Sequence, residues 1–266
     1  MIDVRTLQDD YEAICWCVLQ QGEVVSPRGM KTRELLGETI RIDDVSRSLP
    51  LYIGRGCNPS IGAIEAVQLV GGFSDPELVC RIAPNMKQFR EEDGSFHGAY
   101  GPRVQPQIEH VLRRLRGDRD TRQAVLHIWD WRWDMTQDKK DLPCTVSLHF
   151  LIRADKLVLH THMRSNDVWW GLAYDAFQFT QLQLTVAAQL SLEVGPYFHH
   201  TTSLHIYERD WDKVEELHPP TQLMPELWGF ANADRAWKIG HGLIGESDAD
   251  TDTERWYAGQ LAPHLG

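Results

Sequence analysis

Apolar and polar positions alternate with two different periods along this chain, and the switches between them mark its elements. Residues 9–20 place Tyr11, Ile14, Val18 and Leu19 at helical spacing, which predicts an opening amphipathic helix. Ser26-Pro27-Arg28-Gly29 reads as a turn leading into a strand over residues 32–42. Ser60 is placed to cap a short helix carrying Glu65 and Val67. Asp75-Pro76 starts another helix, and residues 106–115 form a third that ends near Gly117.

The second half is patterned more strongly. Residues 124–129 and 146–152 read as buried strands. Arg153-Ala154-Asp155-Lys156 is a hairpin turn into a strand where Leu157, Leu159, Thr161 and Met163 alternate with polar partners. A long central helix is expected over residues 173–192, with Leu182, Val186 and Leu190 in the core, and a last strand over residues 203–207. Strands and helices in mixed order point to an α+β fold in one domain, residues 1–266. The tail beyond Pro219, rich in Trp, Gly and Asp, has no clear pattern.

Composition narrows the function classes. A net charge of -11 argues against a general nucleic-acid binder, although a few arginines could still hold a small anion. Five cysteines, at positions 15, 17, 57, 80 and 144, show no paired framework, so a reduced, cytoplasmic setting is expected. No signal peptide is visible at the start. The longest apolar stretch, residues 182–194, is interrupted by Gln183, Gln189 and Glu193, so no membrane association is expected.

Several groups could carry chemistry. Cys144 follows a charged loop and Pro143; such a cysteine is a nucleophile if a cation lowers its pKa, and structural otherwise. Arg164-Ser165-Asn166-Asp167 supplies a cation and a hydroxyl that could do so or bind phosphate; it also reads as a capped turn before a helix. Among twelve histidines, His160 and His162 share a strand face and His199-His200 are adjacent. No third and fourth ligand has a recognisable spacing, so solvated or core histidines are favoured and no metal is expected. The same holds for Cys15 and Cys17. Arg113, Arg114, Arg116, Arg119 and Arg122 could contact phosphate or form a solvated helix face.

Taken together, Asp141-Leu-Pro-Cys144, Arg164-Ser-Asn-Asp167, Gly171-Leu-Ala-Tyr-Asp175 and His205-Ile-Tyr207 resemble the thymidylate synthases and their hydroxymethylase relatives in order and separation. Gly29, Glu65, His97-Gly-Ala-Tyr100 and Thr121-Arg122 extend the likeness over about residues 10–210. The resemblance implies a six-stranded mixed sheet packed with helices, and a homodimer with the sheets back to back. The substrate is then a pyrimidine nucleoside monophosphate, and 5,10-methylenetetrahydrofolate the one-carbon co-substrate. Cys144 would be the nucleophile attacking C6, since C5 is a poor nucleophile until a thiolate adds beside it. Glu65 would order water and move protons, and Tyr100 would help to remove the C5 proton. Arg164, Ser165, Arg28, Lys31 and the partner subunit's Arg122 would hold phosphate. His205 and Tyr207 would hold the sugar, with Asn166 beside the substrate. Asp167, with Glu65 and Gly171, would face the folate. The sequence departs from the family at Arg122-Gln123, where synthases carry two arginines, and at Pro27, which stands where their loop arginine aligns.

Asp175 stands where synthases have Asn. An amide matches uracil's N3–H and O4, whereas cytosine inverts that edge and suits a carboxyl group. A mispaired buried edge costs about 1–3 kcal/mol, enough to select one base. Asp175 and Thr145, the latter replacing the usual His, resemble the cytidylate and deoxycytidylate hydroxymethylases of phage and nucleoside-antibiotic pathways. The expected product is therefore a 5-hydroxymethylcytidylate. Small residues at Ala173 and Ala176 favour CMP over dCMP, and Arg-rich usage points to an antibiotic-producing bacterium. The rival readings are methylation of dUMP and a catalytically inactive member that binds nucleotide or RNA.

Overall fold

A computed structural model describes residues 1–135, 138–220 and 223–265. Its centre is one mixed sheet. Strands β1 (Ile2–Val4), β2 (Glu23–Val25), β3 (Thr32–Ile42), β4 (Val125–His127), β5 (Thr145–Arg153), β6 (Lys156–Met163), β7 (Asn166–Asp167) and β8 (Glu193–Tyr207) make up eight in all. Six follow the order β1-β3-β8-β6-β5-β4, while β2 pairs with β3 and β7 with β8. The expected six-stranded α+β architecture is therefore present, with two short strands added.

The sheet buries one face. Leu157, Leu159, Thr161 and Met163 of β6 and Tyr197, His199 and Thr201 of β8 are covered, while His160, His162 and His200 point to the opposite, half-exposed face. Against the sheet lie α1 (Leu7–Gln21) and α6 (Leu172–Leu190), and α2 (Pro59–Gly71) crosses α6. At that crossing Gly62 meets the Phe177 ring so closely that an added Cβ would sit 3.1 Å from it. The close approach brings Glu65, one turn after Gly62, against Asp175 and Gln178, one turn apart on α6.

Several boundaries differ from the expected ones. Thr6 caps α1 and Asn58 caps α2, so both helices start earlier than the pattern suggests. Helix α3 (Pro76–Ile82) is capped by Asp75, as expected. Pro106 lies inside α4 (Gly101–Gly117) and does not open it; so near the N-terminus, the missing N–H removes a single helical bond. Strand β4 is shorter than residues 124–129, although the flanking Ile128 and Trp129 amides still donate to the Val146 carbonyl. Strand β8 begins at Glu193, ten residues before the expected start. The tail forms helices as well. Following α5 (Trp131–Asp134) and α7 (Trp211–Val214), α8 (Ala233–Gly240) and α9 (Asp252–Leu261) are capped by Asn232 and Thr251 and pack on α2.

No helix is long and apolar enough to cross a membrane among the described residues.

Candidate active site

The β5–β6 hairpin sets the position of Cys144. Ala154 and Asp155 both adopt left-handed backbone, φ 49° and 60°, which gives the tight turn whose twist matches the strands. That turn pairs Arg153 with Lys156, and the register would run on to place Cys144 opposite Ser165. A bulge between Thr145 and Ser147 moves it by one residue. Cys144 then faces Arg164: the Arg164 amide donates to the Cys144 carbonyl at 2.9 Å, and Nη2 stands 3.8 Å from Sγ. The guanidinium is held in place by the Pro143 and Leu142 carbonyls, at 3.0 and 3.2 Å, and lies over the Trp129 ring.

Burial pushes the Cys144 thiol up; the Arg164 charge, and then that of Arg28, pull it down, while Asp175 and Asp141 add to the rise. Burial outweighs the arginines, so the thiol rests above its ordinary value. Arg28 comes into range because its turn leads into β3, where Thr32 pairs with Tyr207 at the end of β8. The same charge is felt at His205. Lys31 is engaged elsewhere: its ammonium sits 2.5 Å from Glu208 and over the Trp211 ring.

Tyr100 is positioned from below. Asp134, whose burial is outweighed by Arg103, the Asp130 amide and His97 so that its carboxyl is lowered, binds both Arg103 Nη atoms, and Arg103 also donates to the His97 carbonyl. Gly98 donates its amide to Asp141 and lies against that residue's backbone, fastening the 97–100 segment to the Cys144 loop. The Tyr100 hydroxyl accepts from Thr145 Oγ1 at 3.0 Å, and its ring stacks on Phe179. Burial, with the nearby Asp175 and Cys144 charges, pushes its pKa well above the ordinary value.

Opposite the cysteine are two acids. Burial, then the Asp175 charge, pushes Glu65 up to about 8. Burial also pushes Asp175 up to about 7, although Asn166 and Gln178 donate to it and pull the other way. Gln178 Nε2 lies between the two, 3.4 Å from Glu65 and 3.3 Å from Asp175. Asn166 Nδ2 donates to Asp175 Oδ2 at 2.7 Å. That contact needs Gly171, because a Cβ there would fall 2.7 Å from Asn166 Nδ2 and 3.2 Å from Asp175 Oδ2.

Strand β7 lies beside His205, whose carbonyl accepts from the Val168 amide. His205 is buried and kept neutral, its Nδ1 turned toward the Ser203 carbonyl at 3.4 Å, and its ring meets Tyr207 edge-on. Asp167 accepts from the Trp169 amide, and burial raises it to about 6. Ser165 follows Arg164 at the rim, half-buried. Arg122 makes no contact with this group in its own chain. It lines a surface depression of about 700 Å³ with His110, Arg113 and Arg114.

The structure thus gathers Cys144, Arg164, Tyr100, Glu65, Asp175, Asn166, Arg28 and His205, and leaves Lys31 and Arg122 outside. Sequence reasoning missed Gln178, Tyr197 and His199. The last two join the site through Asn166, whose Oδ1 lies 3.0 Å from His199 Nε2. Among the described residues no group of three or more His, Cys, Asp or Glu could hold a metal ion.

A thymidylate synthase family model matches residues 9–229. The chain is 32% identical over 218 residues to a deoxyuridylate hydroxymethyltransferase of Bacillus phage SP01, covering 76% of this chain and 57% of that protein. A Pseudomonas phage M6 protein of the same name is 34% identical over 171 residues, 61% of this chain and 48% of its own length. One from Delftia phage PhiW-14 is 30% identical over 189 residues, 66% of this chain and 53% of its own length. The chain spans about half the length of these relatives. With the family model spanning the sheet from β2 to β8, helices α2 to α7 and every one of the gathered residues, the chain belongs to the thymidylate synthase family.

Proposed function

We propose that this chain transfers a hydroxymethyl group from 5,10-methylenetetrahydrofolate to C5 of a cytidine monophosphate, CMP in preference to dCMP. The observation that carries the proposal is Asp175, a carboxyl raised to about 7 among Cys144, Glu65 and Tyr100, at the position where the family reads the base.

The Cys144 thiolate adds to C6, and the displaced π electrons make C5 nucleophilic. Arg164 and Arg28 favour the thiolate, and a bound phosphate would share them with Ser165 and the partner subunit's Arg122. The methylene carbon supplied by the folate bonds to C5. Tyr100 and water ordered by Glu65 take the C5 proton as tetrahydrofolate leaves, which creates an exocyclic methylene group on the base. Water oxygen then bonds to that methylene, its proton passes to Glu65, and the electron pair restores C5=C6 while expelling the Cys144 thiolate. His205 Nε2, left as an acceptor by Nδ1, would receive a sugar hydroxyl with Tyr207. Asp167 and Gly171, with the half-exposed Trp170 between them in sequence, offer a polar group that suits a pterin ring. The ribose reading rests on the small residues Ala173 and Ala176 in the sequence around Asp175. The half-exposed sheet face supports a back-to-back homodimer.

The names of the phage relatives favour a second reading, hydroxymethylation of dUMP. A neutral carboxyl has one donor and one acceptor, so it can pair with cytosine or with uracil according to which oxygen holds the proton. Incubation with methylenetetrahydrofolate and CMP, dCMP or dUMP, followed by product mass, separates them. The expected product is 5-hydroxymethyl-CMP. Conversion of dUMP alone, to dTMP or its hydroxymethyl analogue, overturns the cytidylate reading.

A further inference from the structure

Behind Asp175 runs a chain of buried polar groups, of which Asn166 alone is expected beside the substrate. Tyr197 and His199 are fully buried and Asn166 nearly so. The Tyr197 hydroxyl lies 2.8 Å from His199 Nδ1, His199 Nε2 lies 3.0 Å from Asn166 Oδ1, and Asn166 Nδ2 lies 2.7 Å from Asp175 Oδ2. Burial keeps His199 neutral, pulling its pKa down to about 3, so the imidazole has one donor and one acceptor. The chain can therefore run in only two senses. In one, Tyr197 donates to Nδ1, Nε2–H donates to Asn166, and the Asn166 amide donates to Asp175. In the other, the Asn166 amide is turned over, every bond reverses and Asp175 Oδ2–H must be the donor.

The end of the chain favours the first sense, because Asn166 presents Nδ2, a donor, to Asp175 Oδ2. Thr161 Oγ1, buried and without a hydrogen-bond partner, is a hydroxyl that suits either sense. Tyr197, His199 and Asn166 then each donate toward Asp175, and Oδ2 is an acceptor. A proton on Asp175 then falls to Oδ1, the oxygen with the longer contact, 3.3 Å from Gln178 Nε2 against 2.7 Å for Oδ2 and Asn166 Nδ2.

We propose that Tyr197 and His199 are positioning residues that set base selection, by fixing which oxygen of Asp175 accepts and which one holds the proton. This rests on the reading that Asp175 pairs with the base edge. A carboxyl free to hold its proton on either oxygen would accommodate the cytosine and uracil edges alike. Once Oδ2 is held as an acceptor, the carboxyl presents its donor and acceptor in a single order, and one base is refused.

The test compares kcat/KM and folate-free binding for CMP and UMP in three variants. Tyr197→Phe removes the donor to Nδ1 and releases the order, so the cytosine-to-uracil ratio is expected to move toward unity by about tenfold or more. Thr161→Val removes the acceptor that the reversed sense requires, so the ratio should hold or sharpen. Equal losses for both nucleotides in Tyr197→Phe, with the ratio unchanged, would mean that the hydroxyl serves packing alone and would overturn the proposal. Asp175→Asn separates this from the underlying reading: an unchanged ratio there means the base is read elsewhere. A ratio that shifts in Asp175→Asn but not in Tyr197→Phe sinks the positioning role alone. Should Tyr197→Phe not fold, nitrogen NMR of labelled His199 in the native protein decides. Nδ1 is expected bare and Nε2 protonated with CMP bound, and the opposite tautomer overturns the proposal.

Discussion

Arg164 meets Cys144 across the β5–β6 ladder through two contacts, its amide on the cysteine carbonyl and its guanidinium 3.8 Å from the sulfur. The backbone bond sets the position, and the charge opposes the burial that raises the thiol. Removing the charge while keeping the ladder should therefore leave the fold intact and raise the thiol further. Arg164→Gln is expected to slow alkylation of Cys144 by iodoacetamide about tenfold near neutral pH, where the thiolate fraction limits the rate. An unchanged rate would show that the guanidinium does not act on the sulfur.

Glu65 and Asp175 make the site costly to fold, and the cost depends on pH. Their folded values of about 8 and about 7 lie above the ordinary 4.5 and 3.8. Below about pH 3 both are protonated in the folded and unfolded chain, and neither weakens the fold. As the pH rises toward 7 and 8, the unfolded carboxyls ionise first, which favours unfolding. Asp175→Asn and Glu65→Gln should therefore be more stable than the native chain at pH 8, by about 1–4 kcal/mol each. Near about pH 3 the gain should vanish. Urea unfolding at both pH values measures it; an equal gain at both would point to a packing effect.

Cys144, Arg164, Asp175 and the β5–β6 hairpin were legible because each stands in a dense local pattern: a turn with the right residues, or a short motif at family spacing. The first ten residues of β8 were not. Strands are recognised by apolar alternation, and here the buried positions after Tyr197 are His199 and Thr201. Those polar side chains face inward because they back the site, so the feature that hid the strand also marks its role. Gln178 was missed for a related reason. It is a polar residue in a buried helix, explained only by Glu65 arriving from α2. The tail helices were obscured by loops between them, and their burial depends on packing against α2.

Gly171 should tolerate no side chain, though its backbone would accept one. Its φ of -92° lies in an ordinary region, so alanine brings no backbone strain. The conflict is the Cβ, which would press between Asn166 Nδ2 and Asp175 Oδ2. Parting them breaks a buried hydrogen bond to a carboxyl, worth about 1.5–3 kcal/mol when that carboxyl is charged. Gly171→Ala is expected to lower kcat/KM by about tenfold or more while the melting temperature falls by only a few degrees. Retained turnover would mean that Asn166 and Asp175 can separate without loss.

The half-exposed sheet face offers a last prediction, since it carries the imidazoles that a back-to-back dimer would cover. His160 Nδ1 lies 2.8 Å from His200 Nε2, His200 Nδ1 lies 2.9 Å from Thr39 Oγ1, and His162 and Phe198 stack on the same group. Burial and mutual repulsion with His200, His149 and His162 pull His160 down to about 4, and His162 and His200 are lowered too. A bond between two imidazoles needs one bare nitrogen, so protonating both breaks it. Groups held below their ordinary value support the folded sheet face above pH 6.5, and that support is lost as the pH falls toward about 4. Sedimentation should show a dimer at neutral pH that dissociates on acidification as this face comes apart, and His160→Gln should dissociate at lower pH. A monomer at neutral pH would overturn the stacked-sheet arrangement. A dimer that persists through the window, unchanged by His160→Gln, would show that these imidazoles do not control it.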